Sequence, residues 1–193
     1  MPKLVRLRLA ALAVVASQAL VTAATAQTPE LAREFPGRIL AAHNVARAQA
    51  GVQPLTWDAE LGRQAAAYAL RLALTNSFQH SDRSARAGTG ENLWMGSRGA
   101  YNFEQMVAGW TSERRWFAPG IFPAVSRSGN WEDVGHYTQM VWPTTTRVGC
   151  AMATNASNDF LVCRYSPAGN VTGRPVLTAA ASSLGFAQPR YRR

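Results

Sequence analysis

RVGCAMATNASNDFLVCRY, residues 147–165, decides the fold, because two apolar runs flank a short polar turn. Runs of this length with a polar break between them are typical of a β-hairpin. If residues 155–158 form the loop, Cys150 lies directly opposite Cys163. Opposed residues on antiparallel strands have Cα atoms about 4.5–5.5 Å apart, a separation that a disulfide tolerates. The segment therefore predicts a hairpin closed by a Cys150–Cys163 disulfide.

The start of the chain has the layout of a secretory signal peptide. Three basic residues among the first eight precede a largely apolar run at 9–21, and small residues follow at 24–26. This order is typical of a leader cleaved after Ala26, and the run is short for a bilayer span of about 20 residues. We expect residues 1–26 to be removed and the mature chain, without a transmembrane segment, to be secreted to the extracellular space or the periplasm. Export also favours an oxidised cysteine pair.

Charge and composition limit the kinds of partner. The formal net charge is +9, and Lys3 is the only lysine, so nearly all positive charge belongs to arginine. The arginines are scattered, whereas nucleic-acid recognition usually shows a basic stripe or a known reading motif. We expect no nucleic-acid partner and a weak attraction to anionic surfaces, such as a cell envelope or a host surface.

Apolar periodicity predicts helices in the first half of the domain and strands in the second. Helices are expected at 39–50, 58–76 and 102–117, a strand start at 93–95, and strands at 137–142, 148–154 and 160–165. Helices followed by a meander of strands predict an α+β layered domain. The strand expected in GHYTQMVW, residues 135–142, is apolar on both faces, which favours helices on both sides of the sheet. A polar lead-in (27–38) and a loosely ordered basic tail (175–193) flank the domain (39–174).

Spacing alone names no enzyme class. The chain has three histidines, His43, His80 and His136, and contains no HExxH, GxSxG, P-loop or CxxC pattern. His43 shares a helix face with Ile39 and Ala46, so we expect a structural, hydrogen-bonded histidine there.

Two long segments nevertheless resemble the signature motifs of the CAP superfamily, the group of cysteine-rich secretory, antigen 5 and pathogenesis-related 1 proteins. They are GHYTQMVWPTT (135–145) and FLVCRYSPAGNV (160–171), and shorter matches stand in the family's order at AHN (42–44), GENLW (90–94) and WTSE (110–113). The resemblance covers residues 39–174. It implies a three-layer α-β-α sandwich with a small, mainly antiparallel sheet.

The resemblance also implies a cleft lined by two histidines and two acidic residues, here His80, His136, Glu91 and Glu113. Neutral imidazole suits zinc or another divalent cation, and the carboxylates either complete the metal shell or orient the rings from outside it. Family members are described as binding lipids or sterols and as acting in defence, so the expected role is a secreted ligand-binding or host-interaction protein.

Two other readings of the cleft remain open. In the first, the protein is a metal-dependent hydrolase in which Glu91 or Glu113 acts as general base. In the second, it is an envelope or host-interaction module whose cleft has lost its use. The sequence supplies no third strong metal ligand and no evident oxyanion site, so a non-enzymatic role is favoured. For a lipid or sterol-like ligand, the loop at 120–131 supplies candidate walls.

Overall fold

The computed structural model describes residues 21–177, with side chains from residue 33 onward. Most of the expected leader (1–20) and most of the expected tail (178–193) lie outside the described residues, so both assignments stay predictions. None of the described helices combines the length and apolar character that a membrane span requires.

The chain divides into two units after residue 33, and the sheet and the cleft belong to the second. The helices are α1 (Val21–Ala50), α2 (Ala59–Thr75), α3 (Phe103–Thr111) and α4 (Gly135–Met140). The strands are β1 (Thr56–Trp57), β2 (Gly90–Ser97), β3 (Gly120–Ile121), β4 (Arg147–Thr154), β5 (Asn158–Ser166) and β6 (Pro175–Val176). Short 3₁₀ turns occupy Arg83–Arg86, Ser112–Arg115 and Trp131–Val134.

The main sheet has the strand order β1-β4-β5-β2. The pairs β4–β5 and β5–β2 are antiparallel and β1–β4 is parallel, while β3 and β6 form a separate two-stranded ribbon. The hairpin has the predicted register, with Cys150 opposite Cys163 at a Cα–Cα distance of 4.1 Å, and the disulfide is formed. The prediction of a disulfide-closed hairpin is confirmed.

Alternation along β5 divides the core between the two faces of the sheet. Phe160 and Val162 pack with the buried face of α2. Leu161, Cys163 and Tyr165 point the other way, into a cluster with residues of α1, α3 and α4. Helices therefore cover both faces, which confirms the predicted α-β-α sandwich.

The prediction of a strand at 137–142 is wrong, because this segment forms α4. Tyr137 to Met140 are all buried, and a short element buried on every side shows no periodicity that distinguishes a helix from a strand. Tertiary contacts decide between them. The Glu113 carboxylate accepts hydrogen bonds from the backbone N–H groups of His136 and Tyr137, at 2.9 and 3.0 Å, and so satisfies donors that every helix start leaves free.

Two helix bounds also differ from the prediction. The first helix already runs through the expected polar lead-in, since α1 begins at Val21. Phe35 packs edge-on against Trp57 and Phe103, with ring centroids 6.4 and 5.0 Å away. These contacts with residues distant in the sequence stabilise a turn of α1 that apolar periodicity did not predict. The third helix ends at Thr111 and continues as a 3₁₀ turn.

A chain of buried hydrogen bonds links α1, the sheet and α4. The His43 Nδ1–H donates to the Ile39 carbonyl oxygen, and the Tyr165 hydroxyl lies 2.8 Å from His43 Nε2. Because a carbonyl can only accept, Nε2 is the acceptor and Tyr165 donates to it. Asn92 Nδ2 lies 3.1 Å from both the Tyr165 hydroxyl and the His136 carbonyl oxygen. His43 is thus the structural histidine that the sequence predicted.

Arg47 holds the other end of α4 in place. Its side chain is fully buried and donates to the carbonyl oxygens of Gln53, Met140, Trp142 and Thr145 at 2.6–3.0 Å. Burial lowers the pKa of Arg47 to about 10, so the guanidinium stays charged at neutral pH and satisfies acceptors that α4 leaves open.

Replacing Arg47 by Met should destabilise the domain strongly, because several buried carbonyl groups lose their donor. We expect the free energy of unfolding to fall by about 3–5 kcal/mol, measured by urea denaturation. The exposed Arg71→Met change is the matched control and should stay within about 0.5 kcal/mol. Equal effects of the two changes would contradict this role of Arg47.

His43 should make folding stability depend on pH. Burial, opposed by the Ile39 hydrogen bond and aided by the Arg47 charge, lowers the pKa of His43 from 6.5 to about 4. Between these values the unfolded chain binds the extra proton, so stability falls as the pH drops from 6.5 to 4 and is independent of this group above 6.5. At about 1.4 kcal/mol per pKa unit the loss is about 3 kcal/mol.

The comparison of wild type with His43→Gln isolates this effect from other titrating groups. The stability advantage of the wild type, measured by chemical denaturation at each pH, should shrink by about 3 kcal/mol between pH 7 and pH 4. A difference that is constant with pH would contradict the assignment.

Candidate functional site

His80 and Glu91 form the first hydrogen-bonded pair of the site. His80 lies just before the 3₁₀ turn at Arg83–Arg86, and Glu91 is the second residue of β2. The His80 Nδ1 atom is 2.7 Å from Glu91 Oε1. The His80 side chain is 54% exposed and that of Glu91 is fully buried, so a buried carboxylate orients an exposed imidazole ring.

Three further groups fix the Glu91 carboxylate. The Ser81 backbone N–H and hydroxyl donate to its two oxygens at 3.0 Å, and Arg164 Nη2 lies 3.1 Å from Oε2. Burial by itself would raise the pKa of Glu91, but the His80 hydrogen bond, the Arg164 charge and the Ser81 hydrogen bonds together lower it. Glu91 is therefore ionised at neutral pH, and Nδ1 of His80 is its hydrogen-bond donor.

Glu113 and His136 form the second pair. Glu113 lies in the 3₁₀ turn after α3, and His136 is the second residue of α4. The Glu113 Oε1 atom is 2.6 Å from His136 Nδ1, while Oε2 accepts from the backbone at the start of α4. The His136 ring also stacks on Trp110, with 6.0 Å between centroids and 17° between planes. One carboxylate thus fixes both the helix and its histidine.

The two pairs approach the cleft from opposite faces of the sheet. Glu91 has the same orientation on β2 as Leu93, which packs with α2, whereas Asn92 points to the other face and contacts the backbone of His136. Successive residues of a strand point to opposite faces. Because β2 is at the edge of the sheet, elements from both faces reach round its first residues.

A cleft with a volume of about 800 Å³ lies at this edge. Both histidines and Glu91 line it, whereas the cleft is not lined by Glu113, which lies behind the His136 ring. Arg83 and Arg86 line the cleft on the His80 side, and an aromatic pair, Phe122 and Trp131, also contributes. The centroids of the aromatic pair are 5.2 Å apart.

Gln139 sets the floor of the cleft. Its Oε1 atom accepts from the Gly169 backbone N–H at 2.9 Å, and it lies so close to Gly90 that a Cβ atom there would overlap it. The Thr138 hydroxyl is within hydrogen-bonding distance of the Gly135 carbonyl and the Asn170 side chain. Both side chains therefore satisfy neighbouring polar groups.

The four predicted site residues do not form a compact set of metal ligands. Within residues 33–177, the only group of three or more histidine, cysteine or acidic ligand atoms within 4.8 Å of one another is His43 with Cys150 and Cys163. The sulfur atoms of that group are bonded to each other, so they are not metal ligands. At the cleft each carboxylate engages the Nδ1 atom of its own histidine, which leaves Nε2 as the ring atom available to a metal.

Sequence reasoning missed the groups that support the quartet. Arg164 lies directly opposite Glu91 in the β2–β5 register, but that pairing joins strands far apart in the sequence. Arg164 is buried, and its Nε and Nη1 atoms find no hydrogen-bond partner among the described residues. The guanidinium carbon of Arg164 lies 5.5 Å from the centroid of the Tyr68 ring. The opposite charges of Arg164 and Glu91 were the one signal in the sequence. No local sequence pattern indicated that these two residues pair.

Comparisons with known proteins agree with this architecture. Residues 40–165 match the cysteine-rich secretory protein family, CAP. Pathogenesis-related protein PRMS of Zea mays is 35% identical over 165 residues, which cover 84% of this chain and 94% of that protein. Pathogenesis-related protein 1C of Nicotiana tabacum is 38% identical over 136 residues, with coverage of 70% and 76%.

The crystal structure of NaASP2 with Zn²⁺ is similar to this structure, with a TM-score of 0.62 and 27% identity over 74% of this chain and 84% of that one. The sequence matches and this common architecture show that the chain belongs to the cysteine-rich secretory protein (CAP) family.

Proposed function

We propose that this chain is an exported binding protein whose cleft holds a divalent metal ion between His80 and His136 and accepts an amphipathic, lipid- or sterol-like molecule beside it. The observation that carries the metal proposal is that both rings line one cleft with Nδ1 hydrogen-bonded to a carboxylate. This is the arrangement in which a carboxylate fixes the tautomer of a metal-binding histidine and makes it more basic.

The donor set fits zinc in chemistry but supplies few ligands. Imidazole nitrogen is a preferred zinc ligand, and two of them leave coordination positions open. Glu91 and Glu113 then act from outside the shell, since their oxygens are already engaged. A bound zinc ion would supply a Lewis-acidic position to a ligand in the cleft. The similar structure that contains Zn²⁺ supports the choice of metal.

The ligand-binding proposal rests on the mixed lining of the cleft. Its volume of about 800 Å³ falls within the range of about 300–1,000 Å³ that is typical of small-molecule sites. Phe122 and Trp131 come from the loop and turn that the sequence singled out as candidate walls. Phe122 is buried, and Trp131 is 39% exposed, so an apolar surface is open to a ligand.

The hydrolase alternative is less well supported. A general base needs a carboxylate oxygen free to take a proton from water. The Glu91 side chain is fully buried and its pKa is lowered, while both Glu113 oxygens accept hydrogen bonds. Both carboxylates are better suited to positioning than to proton transfer.

Export and contact with other organisms complete the proposal. The predicted leader, the disulfide and relatives named pathogenesis-related proteins support a protein secreted to the extracellular space or the periplasm, with a role in defence or host interaction. The net positive charge favours a weak attraction to anionic envelope or host surfaces.

Zinc binding should depend on both cleft histidines. We expect isothermal titration of the metal-free protein with zinc chloride to give one site, and His80→Ala or His136→Ala to weaken it by more than about tenfold, since either change removes one of two ligands. The neighbouring exposed Gln79→Ala change is the control and should leave the affinity unchanged. Wild-type affinity in both histidine variants would rule out this site.

Glu91 should act on the metal through His80. Glu91→Gln keeps the shape of the side chain but removes the charge that orients and polarises the ring, and we expect zinc affinity to fall by about 10- to 100-fold. The same titration measures it, with thermal unfolding to check that the variant is folded. If the folded variant binds zinc as tightly as the wild type, Glu91 does not position a ligand.

A further inference from the structure

The two arginines of the cleft are the feature that the proposed metal and the apolar wall leave unexplained. Arg83 and Arg86 lie at the two ends of one 3₁₀ turn, and both line the cleft beside His80. A charged side chain in a ligand cleft either pairs with a protein group or remains available to the ligand. The hydrogen bonds and ion pairs of each arginine decide which applies.

Arg86 is held in a fixed orientation. Its Nε and Nη1 atoms donate to the Ser81 and Thr89 carbonyl oxygens, each at 3.2 Å, and its side chain is 19% exposed. These bonds are to neutral carbonyl groups and leave Nη2 without a hydrogen bond to any described residue. The nearest carboxylate, Glu91, is 4.0 Å from Nε and is already paired with Arg164 at 3.1 Å. The charge of Arg86 is therefore largely uncompensated.

Arg83 is an exposed cation at the rim of the cleft. Within residues 33–177 its side chain takes part in no hydrogen bond and no ion pair within 4.0 Å. Two acidic residues line the cleft. Glu91 is already paired with Arg164, and Glu132 lies in the 3₁₀ turn that carries Trp131 rather than in the turn that carries the arginines. The arginine end of the cleft thus presents positive charge, and Trp131 and Phe122 present apolar surface.

We infer that the cleft selects molecules in which an anionic oxygen group, a carboxylate or a phosphate, is joined to an apolar body, with Arg83 and Arg86 binding the anion and Trp131 and Phe122 contacting the apolar part. The inference rests on the proposed ligand-binding role and narrows its ligand class. The planar guanidinium group presents several N–H donors to carboxylate and phosphate oxygens. A partly desolvated site strengthens such contacts relative to bulk water.

A matched set of ligands tests the inference in buffer free of divalent ions, so that coordination at the histidines does not contribute. Decanoate and 1-decanol share an alkyl chain and differ in charge, and inorganic phosphate has the charge without the chain. We expect isothermal titration to show that decanoate binds at least about tenfold more tightly than either of the others. Decanoate and phosphate binding should both weaken as salt is raised from about 50 to 500 mM, because salt screens the contact between the anion and the arginines. Decanol binding should not weaken.

Arg83→Gln is the sharper variant, because an exposed side chain without a described partner is not needed for folding. We expect it to weaken decanoate binding by about fivefold and to leave decanol binding unchanged. Arg86→Gln should likewise weaken decanoate binding and leave decanol binding unchanged. Because Arg86 also donates to backbone carbonyl groups, thermal unfolding checks that this variant is folded. Arg98→Gln, an exposed arginine that does not line the cleft, removes the same charge elsewhere and should change neither affinity.

The outcomes separate this inference from the function on which it rests. Equal affinity for decanoate and decanol, or an Arg83→Gln variant that matches the Arg98→Gln control, would overturn the anion selectivity but leave an apolar ligand site. Phosphate binding as tight as decanoate binding would overturn the role of the aromatic residues. If neither amphiphile binds, the ligand-binding function itself fails, and the inference fails with it.

Discussion

The hydrogen bonds made by the first residues of the edge strand β2 determine where both cleft histidines lie. Glu91 points to one face of the sheet and fixes the His80 ring, and Asn92 points to the other and binds the backbone carbonyl of His136. Only an edge strand leaves room for elements from both faces to meet beside it. The cleft is thus a consequence of strand alternation at the end of the sheet order, and Gly90 allows Gln139 to approach closely enough to close its floor.

The buried Glu91–Arg164 pair fixes the position of the Glu91 carboxylate rather than stabilising the fold. A buried ion pair is often worth no more than well-packed apolar residues, because desolvation offsets the attraction. Glu91 and Arg164 are both nearly inaccessible to solvent, and two Arg164 nitrogens lack described partners, so the pair contributes little net stability. It keeps Glu91 ionised beneath an exposed imidazole. Stability comes instead from the two apolar clusters and from groups such as Arg47, which satisfies buried carbonyls.

Predictions from the sequence succeeded where the structure depends on a local pattern. The α2 helix, the hairpin register and the Cys150–Cys163 bridge were predicted because each depends on local periodicity or on a short loop. Asp58 caps α2 through backbone N–H groups of the next few residues. The strand predicted at 137–142 was wrong, since residues buried on every side carry no period. Motif resemblance, rather than spacing, supplied the four predicted site residues.

The sequence by itself determined the layered α+β architecture and the disulfide, because these depend on local pattern or on motif resemblance. Motif resemblance also pointed to the two histidines and two acids that the structure joins in hydrogen-bonded pairs. Only the tertiary structure decided that α4 is a helix, that each carboxylate takes the Nδ1 atom of one histidine, and that Arg164 supports Glu91. Those outcomes rest on contacts between residues distant in the chain, such as Glu113 with His136 and Glu91 with Arg164. A sequence contains both partners of such contacts but not the packing that brings them together.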